Sequence, residues 1–292
     1  MIFIQGCAIS NGLTVLWRFF FVAPACRPYP LRRKLVHRVI APIAIEISAS
    51  LGAVGLAAGG CVYAALAPSS QLFGKTLIAP RRPEEIALTF DDGPNPAWTP
   101  RLLDILASHD LRATFFLVGS FAEAEPALVR QIVAAGHLIG NHSWNHPNLA
   151  LTSAPRVEEE LTRTSQTLEQ ISGSPVEFFR PPFGARRPFV LRTARRLGMI
   201  PVLWNAMTSD WSEPSSEKIA SRLSHAIDRR TRQGYAANIV LHDGSHRGLG
   251  ANRGPSVAAA DALLSRYKLT RRFVTLDAWI DTTIESGART QE

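Results

Sequence analysis

Five short stretches carry the side chains able to do chemistry. They are Asp91 and Asp92 in Thr-Phe-Asp-Asp-Gly-Pro (89–94), His142 and His146 in His-Ser-Trp-Asn-His, Arg180 in Arg-Pro-Pro-Phe-Gly (180–184), the pair Asp210-Trp211, and His242 in Leu-His-Asp (241–243). Histidines four apart on a helical turn share one face and can reach one ion. A carboxylate from another element completes a two-histidine, one-carboxylate site with positions left for water, and Asp92 is the obvious donor. Neighbours on an extended strand end point opposite ways, so Asp91 and Asp92 can divide the work: one holds metal, the other reaches substrate. Alone the pair means little, because Asp-Gly is common in turns. Arg180 sits on a backbone stiffened by two prolines and turned at Gly184, and its guanidinium can grip a carboxylate bidentately. His242 follows Ile-Val-Leu and leaves the core at the end of that run. A lone histidine there is more often structural than catalytic, but Asp210 can pair with it and keep it protonated. The cysteines, Cys7, Cys26 and Cys61, all precede residue 81, so a metal beyond that point must use histidine and carboxylate.

These residues need a frame. From Ile86 onward, short apolar runs alternate with helix-like stretches. The pattern predicts strands at 86–89, 113–118, 138–141, 178–180, 201–204, 239–241 and 273–275. It predicts helices at 100–108, 125–135, 154–171, 188–197, 215–230 and 256–267; in the third, Val157, Leu161, Leu168 and Ile171 recur at helical spacing. Strands alternating with helices imply a parallel α/β fold, either a barrel or an open sheet. The polar clusters mostly come just after strands, at the edge where active sites of such folds collect.

Composition narrows the class. The chain has 292 residues, 46% hydrophobic and 19% charged, which excludes disordered and collagen-like chains. A net charge of +8 invites a nucleic-acid reading. However, residues 1–84 hold 9 Lys/Arg against 2 Asp/Glu, and the rest is nearly balanced, 23 against 22. No nucleic-acid partner is expected. The basic cluster Arg27, Arg32, Arg33, Lys34 and Arg38 precedes an apolar run at 47–67, about the length that spans a bilayer as a helix. A membrane anchor and a cleaved signal peptide both fit, and a buried Ala/Gly-rich helix is the alternative. The charge asymmetry puts the C-terminal domain outside the cytoplasm. The expected organisation is an N-terminal segment with its linker over 1–83, then a catalytic domain over 84–285.

Together, the five motifs in their order resemble those of the polysaccharide deacetylases, the NodB-homology group of carbohydrate esterase family 4, over roughly residues 84–280. The resemblance implies a distorted (β/α) barrel of about seven parallel strands. It implies a metal-dependent hydrolase that removes N-acetyl groups from an amino-sugar glycan of the cell envelope. Position by position, it makes Asp91 the general base, Asp92, His142 and His146 the metal ligands, and Arg180 the residue orienting the base. Asp210 becomes the partner that tunes His242, the general acid. Trp211 and Leu241 become walls of the acetyl pocket, and the Phe183 backbone N–H a contact to the reacting oxygen. The ion implied is Zn²⁺ foremost, with Co²⁺, Ni²⁺ or Mn²⁺ compatible. One departure is Met207, where many relatives carry an acidic residue. A lipid-linked sugar, a non-sugar amide and a catalytically silent sugar-binding role are the competing expectations. Trp98, Trp144, Trp204 and Trp211 are candidates to stack on sugar rings, with core packing favoured for Trp204.

Overall fold

The structure, a computed structural model, describes residues 58–280. Its centre is β1 (Glu85–Gly93), nine residues with no exposed position. Alternate side chains of a strand face opposite ways. Ile86, Leu88 and Phe90 pack into a large core with Phe115, Leu117, Ile239 and Leu241. Ala87, on the opposite face, joins Phe116, Phe178 and Val202 in a second cluster. A strand buried on both faces is the mark of a parallel sheet covered by helices.

The remaining strands are β2 (Thr114–Leu117), β3 (Leu138–Asn141), β4 (Phe178–Phe179), β5 (Ile200–Pro201), β6 (Ala206–Met207), β7 (Ala237–His242) and β8 (Arg272–Val274). Seven run in the order β5-β4-β3-β2-β1-β7-β6, every pair parallel. β8 lies off this path beside the start of β1. The result is an α/β half-barrel of seven parallel strands, with the eighth set against its base. Helices α1 (Thr99–Ser108), α2 (Gly119–Ala124), α3 (Pro126–Ala134), α4 (Ala154–Ser172), α5 (Pro188–Arg196), α6 (Ser216–Arg232) and α7 (Gly254–Tyr267) connect them. In α4, Val157, Leu161 and Leu168 are buried, as their spacing predicts. At the start of α6, Ser215 Oγ accepts a hydrogen bond from the Lys218 backbone N–H at 3.2 Å, satisfying one of the free donors of a first turn.

Several elements differ from the sequence reading, among them helix α2, where no helix was expected. β6 was not expected, because two residues hold no period to read. The 77–80 segment, part of the expected linker before residue 84, packs against the sheet instead. Leu77 bridges Val202 in parallel, donating to Pro201 O and accepting from Leu203 N, both at 2.8 Å. Pro80 O accepts from Ala236 N at 2.9 Å, and Ile78 O from Asn238 Nδ2 at 2.9 Å. This segment therefore spans from the β5 edge to β7. Just upstream, residues 58–66 are helical. The buried Arg186 ties this region down, donating to Ala67 O at 2.7 Å and Ser70 O at 2.8 Å. Most of the expected membrane or signal segment lies outside the described residues. Among the described residues, no helix is long and apolar enough to cross a membrane.

Candidate active site

The C-terminal ends of β1, β3, β4 and β7, with the turn after β6, bring the predicted residues to one cleft. β1 ends in a bulge: Asp91 keeps register with Phe116 of β2, while the next paired residue is Gly93. Asp92 is the extra residue, with a left-handed φ of 68°. A bulge re-aims a side chain. The expectation that the two aspartates point opposite ways is therefore wrong in detail. Both carboxylates approach the same imidazole: His142 Nε2 lies 3.5 Å from Asp92 Oδ1 and 3.9 Å from Asp91 Oδ2. The close packing behind Asp92 requires a glycine at 244, where a Cβ would fall 1.9 Å from the Asp92 carbonyl oxygen.

His142 and His146 do not lie on a helical turn, as their spacing suggested. They sit on the loop after β3, with Ser143 and His146 at φ of 65° and 56°. The Asn141 side chain accepts from Ser143 N at 2.8 Å, and Ser143 Oγ accepts from His146 N at 3.1 Å. This local bonding brings the two rings to 4.9 Å, doing the work a helix would have done. His142 Nδ1 lies 2.8 Å from Arg180 O. A carbonyl only accepts, so Nδ1 carries a proton, and Nε2, facing Asp92, is the nitrogen a cation would use. His146 Nε2 is 3.0 Å from Asp92 Oδ1. Burial lowers the pKa of His146, which favours the neutral, ligating form. Asp92 feels the penalty of burial too, but the surrounding histidines 142, 146 and 246 hold its carboxyl well below the usual range. Asp92 Oδ1 is enclosed yet has no hydrogen-bond partner. A buried carboxylate oxygen without a donor, facing two imidazole nitrogens, fits a divalent cation.

Asp91 is held from the other side. Arg180, completely buried, donates from Nη1 to Asp91 Oδ1 at 2.7 Å and to Thr89 Oγ1 at 2.6 Å. The grip is therefore through one nitrogen and not the expected bidentate fork, because Nη1 is shared and Nη2 turns toward Asn238 Oδ1 at 3.5 Å. The guanidinium also lies over the Phe116 ring at 4.1 Å. One oxygen of Asp91 is thus fixed and Oδ2 is left facing the cleft.

Asp91 and His242 are register partners across the β1–β7 ladder. His242 Nδ1 pairs with Asp210 Oδ1 at 2.9 Å, and its backbone N–H donates to Asp210 Oδ2 at 2.8 Å. Burial alone would lower the His242 pKa. The Asp210 carboxylate, with smaller help from Asp92 and Asp91, overrides this and raises it to about 9. With Nδ1 engaged, Nε2 is the nitrogen free to exchange a proton.

Comparison with known proteins decides the family. Residues 79–202 match the polysaccharide deacetylase family model. A peptidoglycan-N-acetylglucosamine deacetylase of Bacillus cereus is 34% identical over 207 residues, 70% of this chain and 72% of that protein. The chain belongs to the polysaccharide deacetylases of carbohydrate esterase family 4. A chitooligosaccharide deacetylase of Azorhizobium caulinodans is 36% identical over 174 residues, 59% of this chain and 80% of that one. Among solved structures, the peptidoglycan N-acetylglucosamine deacetylase Bc1960 superimposes with a TM-score of 0.63 at 33% identity, covering 70% of this chain and 91% of that one.

The deacetylase cleft has a volume of about 900 Å³ and is open to solvent on one side. Phe183, Trp204, Met207, Trp211 and Val240 give it apolar walls. Phe183 stands at the mouth with a left-handed φ of 59°, and Trp211 meets His242 edge-on at 5.2 Å. Leu241 is not a wall. It is fully buried in the helix-side core, and its neighbour Val240 lines the cleft, as alternation along β7 requires. Trp204, read as a core residue, packs with Leu203 and Val240 and still reaches the cleft. Trp98 and Trp144 are absent from the lining; Trp144 is buried under Arg163, whose guanidinium lies 3.6 Å from its ring centroid.

Several supporting residues had no signal in the motifs. Ser256 Oγ donates to Asp210 Oδ2 at 2.8 Å. Arg253 donates to Gly244 O at 2.5 Å and Trp211 O at 3.1 Å, tying the loop after β7 to the Asp210 turn. Asp243 turns away from the cleft toward Thr99 Oγ1, and burial pushes its carboxyl up to about 7. His246 Nδ1 also lies 3.6 Å from Asp92 Oδ2, although no motif marked it.

Proposed function

We propose that this deacetylase removes N-acetyl groups from an amino-sugar polymer or oligomer of the cell envelope, with a divalent ion held by Asp92, His142 and His146. The observation that carries this is the placement of Asp91 and His242. They face each other across one ladder beside the histidine–carboxylate cluster, and each is oriented by its own buried partner. The relatives' activities on peptidoglycan and chitooligosaccharides support the substrate class.

When bound, the ion supplies Lewis acidity, acidifying a water and polarising the acetyl carbonyl. Asp91 Oδ2 receives the proton of the attacking water, while Arg180 keeps Oδ1 fixed. Attack places negative charge on the carbonyl oxygen, toward which the Phe183 backbone N–H is the proposed donor. His242, charged and held through Nδ1 by Asp210, delivers its Nε2 proton to the departing nitrogen. An amide requires that proton, because an amide anion is a very poor leaving group. Acetate and a free amino sugar result. Zn²⁺ is the ion proposed, on a donor set of two imidazoles and one carboxylate.

Acetate release from N-acetylated chito-oligomers, peptidoglycan and a lipid-linked N-acetyl sugar, with and without added metal, tests the reading. Release from one of the first two, dependent on metal, is expected. Release from the lipid-linked sugar alone would move the substrate class, and no release from any would remove the proposal.

The pH profile gives a second test. His242 is the competent acid only while protonated, so turnover should fall as pH rises through a value near 9. Asp210→Asn removes the carboxylate's attraction and leaves the burial, which lowers the pKa. The alkaline limb of the kcat profile should move to lower pH in this variant. An unmoved limb would take Asp210 out of proton transfer.

A further inference from the structure

Arg186 follows the Arg-Pro-Pro-Phe-Gly turn, two residues after Gly184, and the scheme above gives it no part. Its side chain is completely buried. A buried charge is costly unless it is paired or well hydrogen-bonded. Here the printed partners are main-chain carbonyls and not a carboxylate. Nη1 donates to Gly184 O at 3.0 Å and Ala65 O at 3.4 Å, and Nη2 to Ala67 O at 2.7 Å and Ser70 O at 2.8 Å. The Arg186 backbone N–H donates to Ala65 O as well, at 3.0 Å. Ala65 and Ala67 lie at the C-terminal end of the 58–66 helix. Carbonyls there lack helical partners and form the negative end of the helix dipole, so a guanidinium suits them.

The other end of the contact is the turn that carries Phe183. Phe183 and Gly184 both have a left-handed φ, 59° and 65°. A non-glycine residue keeps that conformation only where its surroundings enforce it. Arg180 fixes the start of the turn through Asp91. Trp204 closes one side, since a Cβ at Gly184 would fall 3.0 Å from its ring. Arg186 holds Gly184 O from the other end. Fastening the 65–70 segment to the domain would need only the bonds to that segment. It would not need the same guanidinium to grip the turn.

Resting on the reading that the Phe183 backbone N–H faces the reacting oxygen, we propose that Arg186 is a positioning residue for the reaction. It clamps the Phe183 turn to the carbonyls of residues 65–70 and so keeps that N–H aimed at the developing oxyanion. The 65–70 segment is then part of the support of the active site, and an active enzyme retains it.

The experiment compares full-length wild type, Arg186→Gln and Arg186→Lys. It measures metal content, urea denaturation, amide hydrogen exchange, and kcat on an N-acetylated glycan and an activated acetyl ester. In Arg186→Gln, kcat per folded, metal-loaded molecule should fall by about tenfold to a hundredfold, the scale of a misplaced active-site group. The loss should be equal on amide and ester, because both pass through the oxyanion, whereas loss of the acid spares the ester. Exchange should quicken at residues 183–186 and not in β1 or β7. Arg186→Lys, with one nitrogen in place of the fork, should recover part of the rate. Wild-type kcat in Arg186→Gln, or a loss confined to the amide, would overturn the positioning role while leaving the reaction intact. A wild type that releases acetate from no substrate would instead remove the underlying reading. If Arg186→Gln does not fold, Arg186→Lys decides by the same comparison. Failure of both to fold would make the arginine a determinant of folding alone and overturn the proposal. So would an active, processed enzyme whose first residue lies beyond Ser70.

Discussion

Replacing His242 with alanine should lower kcat on N-acetyl substrates by about 10²–10⁴-fold, the usual contribution of a positioned general acid. The ring reaches the cleft from β7 at the position paired with Asp91, and its Nδ1 is committed to Asp210. No other described residue of the cleft combines a protonated nitrogen with such an orienting partner. Metal content should be unchanged, because His242 faces Asp210 and not the Asp92 cluster. On an activated acetyl ester, whose leaving group departs without a proton, the loss should be much smaller. Parallel kinetics on an amide and an activated ester check this. Equal losses on both would place His242 in binding or folding.

Replacing Arg180 with methionine should destabilise the protein by about 3–5 kcal/mol, the cost of leaving one member of a buried ion pair without the other. Both side chains are buried, 0% and 4% exposed, so solvent cannot take over the lost partner. Turnover should fall as well, because Asp91 loses the contact that fixes Oδ1. The ion site should survive, because His142 is anchored by the Arg180 backbone carbonyl, which the substitution keeps. Urea denaturation and metal content measured on the same preparation test both halves. A destabilisation below about 1 kcal/mol, the value of an exposed pair, would show that the arginine is not holding a buried charge.

The residues of the candidate site are legible in the sequence because they lie in short local stretches. Asp91-Asp92, the histidine pair and the rigid Arg-Pro-Pro-Phe-Gly turn each lie within a few residues, and each closes a strand that alternation or apolarity marks. The hidden features depend on geometry that no short window contains. The bulge at Asp92 turns a carboxylate that simple alternation sends the other way. The same alternation, applied to β7, puts Val240 in the cleft and Leu241 in the core, opposite to the motif-based expectation. The His142–His146 spacing suggested the right neighbours for a helical reason, whereas the structure reaches them through a side-chain-bonded loop. Strand β6 is too short to show a period, and the 77–80 segment reads as a linker because its Pro- and Arg-rich flank conceals its pairing with Val202. Ser256, Arg253 and His246 act on motif residues from outside the motifs, so only the folded chain connects them to the site.

In the proposed mechanism two adjacent aspartates do different work, Asp92 holding the ion and Asp91 moving the proton. Side-by-side metal analysis of Asp91→Asn and Asp92→Asn, purified identically and assayed for acetate release, separates the two roles. Asp91→Asn should retain wild-type stoichiometry while turnover falls by about 10²–10⁴-fold, and Asp92→Asn should lose the ion and the activity together. Equal metal loading in the two variants, or loss of the ion from Asp91→Asn, would contradict the division.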